Sequence, residues 1–513
     1  VPKLRTEIAG FDLIADGGMP RGRATLVSGT SGSAKTVFAA QFIAAGIQRA
    51  GEPGVFVTFE ESPVDIRRNM SGFGWPIAEW EHAGQWAFVD ASPQPGDQVA
   101  FSGQYDLGAL LARIEYAVKR VNAQRVSIDS LGGVFAQLAD EATIRHELFR
   151  IIGAMRGWGV TSVITAERTD ELGSISRYGV EEFVSDNVVV FRNVLQEEVR
   201  RRTAEILKFR GTTHQKGEWP FTIVPGEGIV VIPLSALELK QKSSEVRVSS
   251  GNPQLDAMCG GGFFRDSVIL VSGPTGTGKT LITAQFLSAA ELSGDRCLLF
   301  AFEESREQLF RNAIGWGIDF AKLENDGRLR VVCEYPEGAP LEDHLIRIKR
   351  IIEEFKPHRV AVDSLSALER VAPLKGFREF VIGLTSYIKH LEIPTIFTAT
   401  TGSLLGGTSI TETHTSTITD SIILLRYVED FGQIRRGLAV LKMRGSKHDR
   451  EIREFTIDGR GLHIGEPFHN VGGILSGHFH ILQGAATHHD GAATDGFEPR
   501  YREERVSRGA DRG

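Results

Sequence analysis

Two glycine-rich strings carry the most legible chemistry in this chain: GTSGSAKT at Gly29–Thr36 and GPTGTGKT at Gly273–Thr280. The pattern GxxxxGK[ST] bends a loop so that successive backbone N–H groups surround phosphate oxygens. The first loop comprises Gly29, Thr30, Ser31, Gly32, Ser33, Ala34, Lys35 and Thr36, and the second Gly273, Pro274, Thr275, Gly276, Thr277, Gly278, Lys279 and Thr280. Lys35 and Lys279 are expected at the β- and γ-phosphates of ATP, and the Thr36 and Thr280 hydroxyls on Mg²⁺. The first loop departs from the pattern at Ala34. Alanine costs little there at negative φ but shifts the loop otherwise.

Further residues fit the same chemistry. Asp129 and Asp363 end apolar strands and precede Ser-Leu, an arrangement in which the carboxylate helps to hold Mg²⁺. A strand-end aspartate is commonly a cap, but a glycine loop upstream favours the metal role. Glu60–Glu61 and Glu303–Glu304 follow another apolar strand, and a carboxylate there can polarise an attacking water or hydroxyl. The competing reading is a charge pair at a helix start, since Ser62-Pro63 follows, and each glutamate can serve one purpose. Glu303 joins Thr36, Asp129, Thr280 and Asp363 as an expected metal-site residue. Late in each half come Lys208, Arg210 and His214, then Lys442, Arg444 and His448. Alternate strand residues share a face, so each Lys and Arg point together and can stabilise charge on a transferring phosphoryl group. A solvated edge strand would carry the same pattern.

These motifs recur because the chain repeats itself. FVTFEESP at Phe56–Pro63 answers LFAFEESR at Leu299–Arg306, RVSIDSL answers RVAVDSL, and LKFRGTTH answers LKMRGSKH. In both halves short apolar runs alternate with amphipathic stretches, which predicts an α/β fold with a mainly parallel sheet. The expected organisation is a first domain over 1–238, a polar linker over 239–253, a second domain over 254–475 and a tail over 476–513. The tail, rich in Gly, Ala, His and charge, is expected to be mostly disordered. The halves differ at one place. Aligning Asp186 with Asp420 puts Ser416 and Thr417 where the first half has Glu182 and Phe183. Hydroxyls there could accept phosphate in place of water, although Ser/Thr runs are usually loops.

Composition is that of an ordinary globular protein: 513 residues, 41% apolar and 24% charged. Net charge is −7, which argues against a protein that coats nucleic acid. Three dispersed cysteines fit a reducing compartment and exclude a CxxC zinc site. No apolar run approaches the roughly 20 residues that span a bilayer, so a cytoplasmic protein is expected.

The strings SRYGVEEFVSDNVVVFRN, EILKFRGTTH, HTSTITDSIILL, LKMRGSKHD and IREFTI resemble the KaiC family of circadian clock ATPases and kinases over about residues 1–475. That resemblance implies two tandem RecA-like P-loop NTPase domains in a double-ring homohexamer with ATP between subunits. It implies a slow ATPase in the first domain with Glu60 as base. The second would be a serine/threonine autokinase and autophosphatase with Glu303 as base and Ser416 and Thr417 as phosphorylation sites, supported by Thr411. Lys208, Phe209, Arg210, Thr212 and His214 would reach ATP across the first-ring interface, and Lys442, Met443, Arg444, Ser446 and His448 across the second. Trp316 would lie near the second nucleotide's base. A KaiB-like partner follows from the resemblance. The tail diverges after ILSG, which argues against KaiA. Two alternatives share the core: a RecA-type ATPase acting on DNA, disfavoured because no strongly basic loop is evident, and a signalling scaffold that only hydrolyses ATP.

Overall fold

The computed structural model describes residues 1–92, 107–132, 141–177, 181–196, 199–233, 243–401, 418–430, 432–469, 471–472 and 480–481. Ser416 and Thr417, with Thr411, lie outside the described residues.

Each half builds one nine-stranded sheet. In the first, the order across the sheet is 86–90, 54–58, 125–129, 161–167, 24–29, 187–196, 199–209, 218–224, 228–231. The strands up to 187–196 run parallel, and the last three close it antiparallel. The second sheet has the same order, from 329–333 through the central 268–273 to 461–467. The central strands Ala24–Gly29 and Val268–Gly273 are buried along their whole length. Both faces are covered, which is why ATLVSG and VILVSG are continuously apolar or small rather than alternating.

A helix leaves each central strand after the glycine loop, Lys35–Ala45 in the first half and Lys279–Ser288 in the second. Both are apolar on nearly every face because they lie between the parallel core and the antiparallel extension. A second helix follows each glutamate pair. Ser62 caps Pro63–Met70, and Ser305 caps Arg306–Gly315 through a reciprocal capping box with Gln308. Part of the stretch expected as linker is taken into the second half, where Arg247–Val248 pairs with Phe263–Phe264.

The halves touch where the hairpin of 187–196 and 199–209 meets two helices, Leu341–Phe355 and Leu374–His390. Arg201 grips Glu342 at 2.8 Å and Glu379 at 3.1 Å, and the Thr222 hydroxyl bonds Asp343. Among the described residues no helix is long and apolar enough to cross a membrane.

Candidate active sites

The end of the central strand gathers the same residues in both halves. Lys35 Nζ donates to the Thr30 carbonyl at 2.9 Å, and Lys279 Nζ to the carbonyls of Gly273 and Pro274 at 2.9 Å each. Beside each lysine stands the strand-end aspartate, hydrogen-bonded to the loop's last threonine: Thr36 with Asp129 and Thr280 with Asp363. Burial pushes both aspartate carboxyls upward, and burial likewise lowers Lys35 and Lys279. A carboxylate, an ammonium and a hydroxyl set together at one strand end suit a polyanion and a hard divalent cation. Among the described residues no cluster of three His, Cys, Asp or Glu forms a protein-only metal cage. The Thr36–Asp129 and Thr280–Asp363 oxygens suit Mg²⁺, which is usually held by one or two protein oxygens together with phosphates.

The geometry separates the members of each glutamate pair. Glu60 accepts from Ser130 Oγ at 2.5 Å, and Glu303 from Ser364 Oγ at 3.0 Å. Those serines directly follow the two aspartates, so Glu60 and Glu303 face the phosphate loop. Arg370 also bonds Glu303 at 3.0 Å. Glu61 and Glu304 turn instead to the following helix, accepting from Asn69 at 2.8 Å and Asn312 at 3.2 Å. Burial, reinforced by Asp363, raises the Glu304 carboxyl. A cleft of about 280 Å³ opens beside Glu303 and Glu304, with Ser305, Cys333 and Tyr335 on its walls.

The sequence left two cases open for Ala34, and in the structure this residue takes the costly one. Its φ is +73°, not negative, and Gly278 in the same place has φ +105°. The turn from loop to helix needs a left-handed residue in both halves, and the first half meets that need with an L side chain. Left-handed backbone costs such a residue roughly 1–2 kcal/mol. Ala34→Gly is therefore expected to stabilise the first half by about 0.5–1 kcal/mol after the entropy of glycine is deducted. The reverse change, Gly278→Ala, would drive its Cβ to 2.9 Å from Ile457 Cδ1 and should destabilise. Urea midpoints of the two variants check both signs.

The basic sets are not brought to these loops. Lys208 lies opposite Val188, which lies opposite Leu26, three residues before Gly29. Lys442 lies opposite Ile422, itself opposite Leu270, three residues before Gly273. At about 3.3 Å per residue this places each lysine roughly 10 Å back along the sheet. Arg210 and His214, like Arg444, Ser446 and His448, lie beyond the strand ends. Lys208 bonds the Glu182 carbonyl at 2.9 Å, and Lys442 that of Thr419 at 2.6 Å. Arg210 and Arg444, each more than half exposed, lie within 4 Å of Asp186 and Asp420. The Phe209 and Met443 side chains between the cations are buried in the core, as strand alternation requires. Ser446 bonds Arg247 at 2.7 Å, and Trp316 packs on the second core.

Sequence reasoning missed several partners. Thr165 and Thr398 each donate to the aspartate at 2.5 Å from the neighbouring strand. Ser130, Ser364, Asn69, Asn312 and Arg370 hold the glutamates. The signal for most was present: TSVITAE and TIFTAT carry the threonine at matching places, and an asparagine stands eight residues after each second glutamate.

A family model described as "ATPase: KaiC" matches residues 4–236 and again 248–468. The chain is 65% identical over 477 residues to the circadian clock protein KaiC3 of Synechocystis sp., covering 93% of this chain and 94% of that protein. It is 56% identical over 478 residues to the circadian clock oscillator protein KaiC of Thermosynechococcus vestitus, covering 93% and 92%. Against the protein of the same description in Prochlorococcus marinus, identity is 54% over 485 residues, covering 94% and 96%.

Proposed function

The chain belongs to the KaiC family of ATPases, and from that premise we propose a division of labour between its two domains, 1–238 and 254–475. Each binds ATP on its glycine loop. The first hydrolyses ATP with Glu60 as general base. The second transfers the γ-phosphoryl group to Ser416 and Thr417 with Glu303 as base, and removes it again. The observation that carries this reading is the repeated constellation of loop lysine, loop threonine, strand-end aspartate and serine-held glutamate.

Thr36 with Asp129, and Thr280 with Asp363, would hold Mg²⁺, which supplies charge neutralisation on the phosphate oxygens when bound. The protein's own groups position the rest. Lys35 and Lys279 exchange loop carbonyls for phosphate oxygens. Glu60 and Glu303, on the open side of the loop, take the proton of the attacking oxygen. Glu61 and Glu304 keep the following helix in register.

The lysine–arginine–histidine sets stand at the wrong end of the sheet for their own loop. That placement supports a homohexamer in which they complete the neighbouring subunit's site. Trp316 fits a place near the base of the second nucleotide. A cytoplasmic timing or related signalling role, with a KaiB-like protein as partner and without KaiA, accords with the relatives and the divergent tail.

The test is phosphopeptide mapping after incubation with γ-labelled ATP and Mg²⁺. Label confined to the peptide containing Ser416 and Thr417 is the expected result. An unlabelled protein that still releases phosphate would reduce the second domain to a plain ATPase.

A further inference from the structure

One buried threonine in each half stands beside the strand-end aspartate. The strand Thr161–Glu167 runs parallel to Arg125–Asp129 with Ile164 opposite Ile128, which brings Thr165 next to Asp129. In the second half Thr395–Thr400 runs parallel to Arg359–Asp363 with Phe397 opposite Val362, which brings Thr398 next to Asp363. Both threonines are fully buried. Valine fills nearly the same volume without the cost of desolvating a hydroxyl. Packing alone therefore does not account for threonine at either place.

Each hydroxyl has one proton to donate. Thr165 Oγ1 lies 2.5 Å from Asp129 Oδ1 and 3.4 Å from the Ile128 carbonyl, so the carboxylate takes it. Thr398 Oγ1 lies 2.5 Å from Asp363 Oδ1. The same two carboxylates also accept from the loop hydroxyls of Thr36 and Thr280. An aspartate carboxylate by itself turns in a broad χ2 well, whereas a β-branched threonine is stiff at χ1. Thr165 and Thr398 are further fixed by the parallel ladders that carry them. Bonds from the sheet on one side and from the phosphate loop on the other leave each carboxylate a single orientation.

We propose that Thr165 and Thr398 are positioning residues for the divalent cation: each holds its strand-end aspartate in the orientation that also meets the loop threonine, so that the cation finds those oxygens already placed. The threonines act through the aspartates and are not ligands themselves. This rests on the reading that Gly29–Thr36 and Gly273–Thr280 bind ATP with Mg²⁺. Partners one bond removed from a metal's ligands typically contribute roughly 10–100-fold in metal affinity.

The test uses the full chain carrying Lys279→Ala, so that the first loop is read alone. The probe is the methylanthraniloyl derivative of adenosine imidotriphosphate, which is not hydrolysed, and its binding is followed as Mg²⁺ is added. Thr165→Val is expected to raise the Mg²⁺ concentration for half-maximal binding roughly 10–100-fold while binding in EDTA stays unchanged. Thr165→Ser, which keeps the hydroxyl, should return it to near the parent. A folded Thr165→Val protein with the parent's Mg²⁺ dependence overturns the proposal. So does an equal loss of binding with and without Mg²⁺, the mark of a disturbed loop rather than a turned carboxylate. Should Thr165→Val fail to fold, Thr165→Ala takes its place and is read against the same outcomes. Probe binding that survives Lys35→Ala would instead overturn the assignment of nucleotide to this loop.

Discussion

Glu303→Gln is expected to cut phosphate incorporation from γ-labelled ATP by about 10²–10⁴-fold while nucleotide stays bound. The amide has nearly the shape of the carboxylate, and its one oxygen can still accept from Ser364 or from Arg370, which bond different oxygens of Glu303. What it loses is the ability to take a proton from the attacking hydroxyl. Glu304 is not expected to stand in, because one of its oxygens is engaged by Asn312 on the following helix. Binding should survive because the contacts expected to carry it are those of Lys279, Thr280 and the loop amides. Labelled phosphate on the protein and nucleotide content after gel filtration measure the two effects separately. Undiminished labelling would remove Glu303 from the role of base. The matched change Glu60→Gln should lower phosphate release and leave labelling largely in place, since the first half lacks the hydroxyl pair.

The internal repeat makes much of this site legible in the amino-acid sequence. The glycine loops, the strand-end aspartates and the glutamate pairs are short local strings, and their chemistry depends on residue type more than on distant packing. Buried strands such as ATLVSG can be read because both their faces meet helices. Three things cannot be read. The sign of φ at Ala34 depends on how the loop enters its helix, and a one-letter code does not carry it. The split within each glutamate pair is decided by Ser130, Ser364, Asn69 and Asn312, which come from other elements. The bond from Glu171 to Thr30 joins residues far apart in sequence, and Glu171 belongs to no motif. The basic sets are an intermediate case. Alternation predicts their shared face, but only strand register shows that the face lies at the far end of the sheet from the loop.

The second large effect expected is on stability, at Arg125. This residue begins the strand Arg125–Asp129 and is 1% exposed. Its Nε and Nη2 bond Glu52 at 2.8 and 2.5 Å. Nη1 reaches the carbonyls of Thr6 at 3.1 Å and Phe42 at 2.8 Å, and Nη2 that of Arg5 at 2.8 Å. A Cβ on Gly46 would lie 2.3 Å from its Nε, so the glycine makes room for the guanidinium. One side chain therefore ties the N-terminal segment and the helix that leaves the first phosphate loop to the sheet. Arg125→Ala leaves the Glu52 carboxylate with only the longer Arg21 contact at 3.4 Å and strands three carbonyls, at a cost of about 3–5 kcal/mol. Arg125→Lys should recover little, because an ammonium cannot match the planar fork. The twin Arg359 is also buried but makes fewer bonds: Ser249 and Phe286 carbonyls at 2.7 and 3.0 Å, with Asp295 at 3.5 Å. Its removal should cost less. Trp75, Trp80, Trp86, Trp158 and Trp219 lie in the first half and Trp316 alone in the second, so indole emission in urea reports mainly on the first. An Arg125→Ala midpoint within about 0.5 kcal/mol of the parent would show that the tie is dispensable. If it holds as expected, saturating ATP should restore part of the loss by linkage, because the helix anchored at Phe42 begins at the loop that grips the phosphates.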